Sequence, residues 1–574
     1  MSPPPVSIHK EGLVNHYQRP DIKAILEQIR RARLRVRLAM NAASAGQASQ
    51  ELMACWQAYV HGKTMACLIH EQKSSDPQGS SELEFYLHED GPIKASLAQA
   101  FKAIADCRFR EEILPQIRPF HLESALFWSE LSSERIQSEC EAEAAKVRAI
   151  SDWLAQSRIF CLGQRWPLAA LPALLESPQR SIRRAAVRGI QDFILTHEDW
   201  LNLQIGDLLD LRSQMAKKIR LSHPFEMTRH LAGLRNVTED QFLLFKSQIQ
   251  HYFVPMGLEI RRLQRKRLNL ETLSEQDFLC FLPDGHPVPT LSRDIQFQII
   301  TRVLTQLLQQ NPDSLTLDGS CLEHPLIDFQ LGPDMYGETT AYLLSSQGPV
   351  YWRLPHHGTM MDIGHHLHAS GPLLAALADQ AIARAAGGVG APAVPDVARS
   401  TLQAYLTELV AQPHLGELIQ ENELHHLLRL TQLSETLVLL TLWADFSFQI
   451  HQENLKDPRD RSRLWLELEH LYLPDLTHED WPYWGNGGLQ HLAHEAWLKP
   501  GDSLARALGL FAALAIWQKS RKTPDLLSQD WTRMIGLGNS LPFDPLLEQF
   551  TSLSPWDEAS FKRVAFAISA ELSL

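Results

Sequence analysis

The chain has 574 residues and a formal net charge of −13, because 67 acidic residues outnumber 54 lysines and arginines. This length is several times that of a typical domain, so we expect one large two-lobed body or a few domains. The negative charge disfavours non-specific nucleic-acid binding, and no apolar run reaches membrane-spanning length. The first ten residues lack the features of a secretory signal, and the seven cysteines form no C-x-x-C pair. These features predict a cytoplasmic protein that binds neither nucleic acid nor membranes.

Helical periodicity dominates the chain. Apolar residues recur every three or four positions through residues 21–45 and 122–157, as is typical of amphipathic helices. Residues 72–84 have loop composition and are predicted to join two helices of a first lobe. Further helices follow from about Ser177 to Leu273. We therefore predict a mostly α-helical protein.

The strongest β signal lies between Pro325 and Tyr351. Residues 326–331 and 340–345 are short runs rich in β-branched, aromatic and apolar residues, separated by turn signals. They predict a small hairpin just before a helix that begins near His357. Residues 385–395 are rich in glycine, alanine and proline and predict a turn-rich linker, after which helical patterning resumes from Asp396.

The segment from Gly358 to His368 reads G-T-M-M-D-I-G-H-H-L-H. A zinc-peptidase helix carries H-E-x-x-H, in which two histidines on one helical face share a metal and the glutamate activates its water. Here Met361 stands at the first histidine, Asp362 at the general base and His365 at the second histidine. The aspartate carboxylate lies about 1.5 Å closer to the backbone than a glutamate carboxylate would. The pattern predicts a zinc site that has lost its chemistry.

Several segments in order resemble the zinc metallopeptidases of the thimet-oligopeptidase type, most closely the oligoendopeptidase F branch. The matching segments are 174–187, 197–212, 335–344, 361–368, 444–453 and 489–517. The resemblance implies a mostly α, two-lobed fold with a deep central cleft and a small hairpin or sheet beside the active-site helix. We predict an N-terminal tail over residues 1–20, a helical lobe over 21–200 and a peptidase-like domain over 201–574.

The departures from this family fall at its functional positions. The resemblance implies a third zinc ligand in an E-x-x-S pattern, and aligning Ser400 with its serine puts Val397 in the ligand's place. A slip of one residue would bring in Asp396 as a substitute. His494 is retained where the family stabilises the reaction intermediate, but the family's tyrosines are missing there. His365 is then a remnant ligand, and a structural role for this histidine is favoured because one imidazole cannot hold zinc.

The resemblance also implies substrate contacts by Tyr336, Gly337 and Tyr342. We therefore predict a protein without zinc-dependent peptidase activity and without a cofactor, which binds an extended peptide or partner segment in its cleft. The alternative is an active metallo-oligopeptidase with zinc in an atypical site. A third option is different chemistry at a rebuilt site. The side chains that offer nitrogen and sulfur ligands suited to copper in such a site are His356, His357, His366, His368 and Met361.

Overall fold

The computed structural model describes residues 6–7, 17–117, 122, 134–310, 326–332, 334–343, 350–385, 396–478, 480–521 and 523–574. Most of the predicted tail and of the predicted linker at 385–395, and the end of the second predicted strand at 344–345, lie outside these residues. The predicted dominance of helices is confirmed. None of the helices in the described ranges is long and apolar enough to cross a membrane.

The N-terminal part of the chain folds into long helices that pack on one another. Their bounds are α1 (Ile22–Arg37), α2 (Ala42–Gln72), α3 (Pro77–Ala105), α4 (Arg110–Ile117) and α5 (Gln137–Gln156). Asp76 caps α3 by accepting a hydrogen bond from the N–H of Gly79, so the predicted loop at 72–84 is only four residues long. Apolar side chains between Ile22 and Leu122 form a small core of their own.

A β-hairpin that the sequence analysis did not predict follows α5. Strands β2 (Arg158–Cys161) and β3 (Gln164–Pro167) are antiparallel, and both residues of their turn, Leu162 and Gly163, have positive φ, which matches the twist of such hairpins. The next helices are α6 (Pro172–Leu175), α7 (Arg180–Thr196), α8 (Glu198–Lys218), α9 (Pro224–Leu231), α10 (Glu239–Gln248), α11 (Val254–Leu268) and α12 (Arg293–Gln309). A π-helical stretch, Ile249–Phe253, joins α10 to α11.

A small sheet precedes the helix that carries Met361, Asp362 and His365. Its strands are β1 (Val6–Ser7), β4 (Leu326–Asp328), β5 (Thr340–Leu343) and β6 (Val350–Arg353), in the order β1-β4-β6-β5. The two predicted runs do not pair with each other: β4 is parallel and β5 antiparallel to β6, which lies between them. The sequence analysis missed β6, whose four residues are all buried and so lack the alternation of a half-exposed strand.

Helices form the rest of the chain. Their bounds are α13 (Met361–Ala385), α14 (Val397–Ala411), α15 (Asn422–Gln452), α16 (Pro458–Tyr472), α17 (Pro482–Gly485), α18 (His494–Leu498), α19 (Asp502–Ser520), α20 (Pro524–Gly536), α21 (Phe543–Glu548) and α22 (Glu558–Leu572). Helix α14 packs between α13 and α19. Glycines allow this close approach, because a Cβ on Gly371 would overlap the carbonyl oxygen of Gln403 and one on Gly509 that of Ala398.

The large core extends from Ile150 to Ile568 and joins the helices of the C-terminal half to α7, α8 and α10. This core holds α13, α14 and α15 in fixed positions relative to one another. The division of the chain at residue 200 stays a prediction.

Candidate functional site

Asp362 lies in the first turn of α13, where the sequence analysis placed the general base. Its carboxylate accepts hydrogen bonds from the backbone N–H groups of His357 (3.1 Å), Gly358 (2.7 Å) and Thr359 (3.2 Å). The Nδ1 atoms of His356 and His357 each lie 3.1 Å from it. Burial alone would raise the pKa of Asp362, but these hydrogen bonds hold it well below its ordinary value. The carboxylate thus fixes the turn that precedes α13 and stays ionised.

His365 lies one turn further along α13 and is partly buried. Its Nδ1 has no hydrogen-bond partner among the described residues. Burial, together with the positive charge of Arg429, lowers the pKa of His365 to about 4, so the ring is neutral at pH 7. Ligand atoms of His357, Asp362 and His365 lie within 4.8 Å of one another. A cavity of about 20 Å³ beside Asp362 and His365 has room for a single water or ion.

Met361 faces a buried arginine rather than a metal-binding partner. Its Sδ accepts a hydrogen bond from Nη1 of Arg429 at 3.3 Å. The same guanidinium donates to one carboxylate oxygen of Glu408 from Nε (3.1 Å) and Nη2 (2.7 Å) and also contacts Gln432. A Cβ on Gly364 would lie 3.2 Å from the guanidinium, so Arg429 lies directly on the face of α13 between Met361 and His365.

Glu408 of α14 completes this arrangement. Its second carboxylate oxygen lies 3.0 Å from Nδ1 of His368, whose side chain is 40% exposed. Burial acts to raise the pKa of Glu408, but Arg429 and His368 outweigh it and hold that pKa below its ordinary value. Arg429, Glu408 and His368 therefore form a cluster of polar side chains that joins α13, α14 and α15, and we call it the Arg429 cluster.

The residues at the three zinc-ligand positions do not fit a zinc ion. The sulfur of Met361 is engaged by a cation, and Val397 offers no ligand atom in its side chain. Asp396 caps α14, because its carboxylate accepts from the N–H groups of Arg399 (2.9 Å) and Phe543 (3.1 Å). It is absent from the group of ligand atoms around His365. A zinc ion needs three protein ligands, and these positions supply one.

A second site, the main cavity, has a volume of about 490 Å³ and is lined by Tyr336, Gly337 and His494. The phenol of Tyr336 donates to Asp152 of α5 at 2.9 Å, and its N–H donates to the carbonyl of Glu71 at 3.1 Å. This fixes the start of the segment that leads into β5 against the N-terminal helices. The structure thus brings together three of the residues that the sequence analysis singled out.

Tyr342 has a different environment from the other predicted substrate contacts. It lies on the face of β5 that packs against Met65 and Tyr351, whereas Ala341 and Leu343 on the other face pack on the large core. It is not among the residues that line the main cavity. Its role in substrate binding stays a prediction.

The whole chain superposes on solved peptidase structures. A structure assigned to oligoendopeptidase F gives a TM-score of 0.89 at 19% identity, with 97% of both chains covered. PZ peptidase A with an inhibitor gives 0.90 at 18% identity, with 97% of this chain and 98% of that one covered. The chain has the oligoendopeptidase F fold. An oligoendopeptidase F structure from Bacillus anthracis str. Ames gives 0.83 at 17% identity, with 97% of both chains covered.

The predicted resemblance to oligoendopeptidase F is therefore confirmed as a likeness of fold. No protein-family model and no curated protein matches the sequence. At these identities the likeness carries the fold and not the activity.

The residues that the sequence analysis missed lie far from the motif along the chain. Arg429 and Glu408 are on α15 and α14, and no local pattern connects either of them with Met361. His357 was named only among the histidines that could offer nitrogen ligands to a rebuilt site. The methionine at position 361 was itself a signal, because a thioether in place of a histidine ligand indicates that the side chain contacts something other than zinc. The sequence does not show which residue that contact is.

Proposed function

We propose that this protein is an oligoendopeptidase F-like protein that binds an extended peptide or partner segment in its cleft and has no zinc-dependent peptidase activity. The observation that carries this proposal is the position of the Arg429 guanidinium against Met361 and Glu408. A guanidinium keeps its charge at every physiological pH. A divalent cation beside Met361 would be repelled by this charge, and neither Met361 nor Val397 offers it a free ligand atom.

The Asp362 carboxylate, at the predicted position of the general base, is also occupied by other hydrogen bonds. A general base must reach a water molecule and have a pKa near the working pH. The Asp362 carboxylate is directed to three backbone N–H groups before α13, and its pKa is held low. Asp362 therefore supports the start of the helix and is poorly suited to proton transfer.

Peptide binding is supported by the edge of the small sheet. Among the described residues, β5 pairs only with β6 and has one free edge. An extended peptide can add to such an edge through main-chain hydrogen bonds. β5 packs beside α13, and the residues just before it line the main cavity. A peptide on this edge would run beside α13.

The test uses the full chain, stripped of metal and then given equimolar Zn²⁺. We expect no stoichiometric zinc in calorimetry or metal analysis, no cleavage of a quenched fluorescent peptide, and binding of extended peptides. Two versions of a peptide should be compared, one methylated at its odd-numbered amide nitrogens and one at its even-numbered amide nitrogens. Only one of the two should bind more weakly, since only every second N–H group faces the edge strand. Cleavage that depends on added zinc, or failure of a broad set of peptides to bind, would contradict the proposal.

One observation favours the alternative of an active metallo-oligopeptidase with an atypical site. His357, Asp362 and His365 place one ligand atom each within 4.8 Å of one another, and imidazole and carboxylate are ligands that zinc accepts. In this case zinc would bind stoichiometrically, and His357→Ala would abolish binding. His356→Ala is the comparison variant, because His356 contacts Asp362 but lies outside the group of ligand atoms. Zinc-dependent cleavage lost in His357→Ala and kept in His356→Ala would establish the alternative.

A further inference from the structure

The main cavity is mostly apolar, and most of its apolar lining comes from the N-terminal part of the chain. Helix α5 contributes Val147 and Leu154, and α7 contributes Ile190 and Phe193. The volume of about 490 Å³ falls in the range of about 300–1000 Å³ that is usual for ligand sites. The cavity therefore has room for at least one large side chain of a bound molecule.

Aromatic rings make this wall rigid. Trp153 stacks on Phe193 with ring centroids 5.1 Å apart and an angle of 20° between the planes. The ring centroid of Trp200 lies 5.0 Å from that of Trp153, with an angle of 48° between the planes. Both stacked rings line the cavity and remain partly exposed. An incoming aromatic ring would find partners for edge or offset stacking that are already in place.

The cavity lies close to the start of β5 along the chain. Gly337 lines the cavity, and Thr340, three residues later, begins the strand. At about 3.3 Å per residue, this separation is at most roughly 10 Å of chain. A peptide paired with β5 and continuing in the direction of Gly337 would reach the lining of the cavity about three residues beyond the strand.

The rim of the cavity is polar. Glu338 and Lys499 lie 3.8 Å apart at the rim, and both are exposed. Glu495 pairs with Arg506 at 2.6 Å, while its Oε2 is buried without a partner among the described residues. An apolar interior with a polar rim suits a peptide side chain better than a free hydrocarbon ligand.

We propose that this cavity binds one bulky apolar side chain, preferably aromatic, of a peptide that is paired with β5. The inference rests on the proposed peptide-binding function and adds the side-chain class that the cleft selects. Burial of such a side chain should tighten binding by roughly 10- to 100-fold relative to alanine at the same position.

The test uses blocked hexapeptides of alanine in which a single position is Trp, Phe, Leu, Ala, Glu or Lys, and it measures their affinity for the full chain by calorimetry. We expect the Trp and Phe peptides to bind roughly 10- to 100-fold more tightly than the all-alanine peptide. Ala155→Phe places a ring in the cavity from α5 and should remove most of this preference. Ala142→Phe is the matched control, because Ala142 lies exposed on the same helix outside the cavity.

The outcomes separate this inference from the proposed function. If no peptide binds, the proposed function fails and the inference falls with it. If peptides bind without preference for a bulky apolar residue, or if Ala155→Phe and Ala142→Phe have equal effects, the side-chain inference is refuted and the proposed function stands. Loss of the preference in Ala155→Phe, with the preference kept in Ala142→Phe, supports both.

Discussion

Replacing Arg429 by methionine removes the cation of the Arg429 cluster while nearly keeping the volume of the side chain. Arg429 is only 5% exposed, and its main partner, the Glu408 carboxylate, is also buried, with 2% of its side chain exposed. The variant leaves that carboxylate with His368 as its remaining partner. Breaking a buried ion pair by removing one partner costs about 3–5 kcal/mol. Because one contact remains, we expect a value near the lower end, about 3 kcal/mol.

The destabilisation caused by Arg429→Met should depend on pH. In the native protein the pKa of Glu408 is below its unfolded value, so its stabilising contribution is present above the unfolded pKa and is lost as pH falls through the folded one. In Arg429→Met, burial is expected to raise the same pKa, so the variant gains stability relative to its unfolded state as pH falls. The difference in stability between the two proteins should therefore shrink between pH 7 and pH 4.

Hydrogen exchange, measured by mass spectrometry on peptides covering α13 and α14, reports the local opening of these helices. A cost of about 3 kcal/mol corresponds to roughly 100-fold faster exchange. Adding Glu408→Gln to Arg429→Met should restore part of the protection, because the buried charge is removed. Arg302→Met is the control, since its pair with Glu417 is exposed and its loss should change stability by about 0.5 kcal/mol or less. Equal exchange in Arg429→Met and Arg302→Met would refute the reasoning.

Two further predictions concern stability elsewhere in the fold. His478 lies between Glu275 and Glu469; burial opposes its charge, but the two carboxylates raise its pKa to about 9. The contribution of His478 to folding stability is therefore complete below pH 6.5 and is lost as pH rises through 9. His478→Gln should lower the thermal midpoint of unfolding at pH 6 and have little effect on it at pH 10. An equal change in the midpoint at both pH values would contradict this prediction. Gly371→Ala should destabilise the contact of α13 with α14 by about 1–3 kcal/mol in urea unfolding. Gly206→Ala, at a helical position with open space, should be neutral or stabilising, and a similar loss in both variants would speak against the packing argument.

The fold could be predicted from the sequence because its signals are ordered along the chain. Helical periodicity covers most of the residues, and the segments that resemble oligoendopeptidase F occur in the expected order. The small sheet was predicted only in part. Its central strand β6 is short and buried on both faces, so it has no alternating pattern, and β4 and β5 come together only through it. Pairing across such distances depends on tertiary contacts that no local window of sequence contains.

The residues of the candidate site likewise fall into those that the sequence predicts and those that it does not. Asp362 and His365 were found because they lie within one helical motif, and Tyr336, Gly337 and His494 were found through the resemblance. Arg429 and Glu408 could not be predicted, because helices that are distant in the sequence bring them to α13. Asp396 illustrates the converse: its position in the sequence suggested a ligand, whereas its carboxylate caps α14. A residue type at a plausible spacing does not by itself determine what its side chain contacts.

The most direct test of the central claim is the zinc content of the full chain after dialysis against excess zinc, measured together with hydrolysis of a quenched fluorescent peptide. A guanidinium against Met361 predicts far less than one zinc per chain and no hydrolysis above background. One tightly bound zinc per chain, with hydrolysis that is lost on Asp362→Ala and on His365→Ala, would contradict the account.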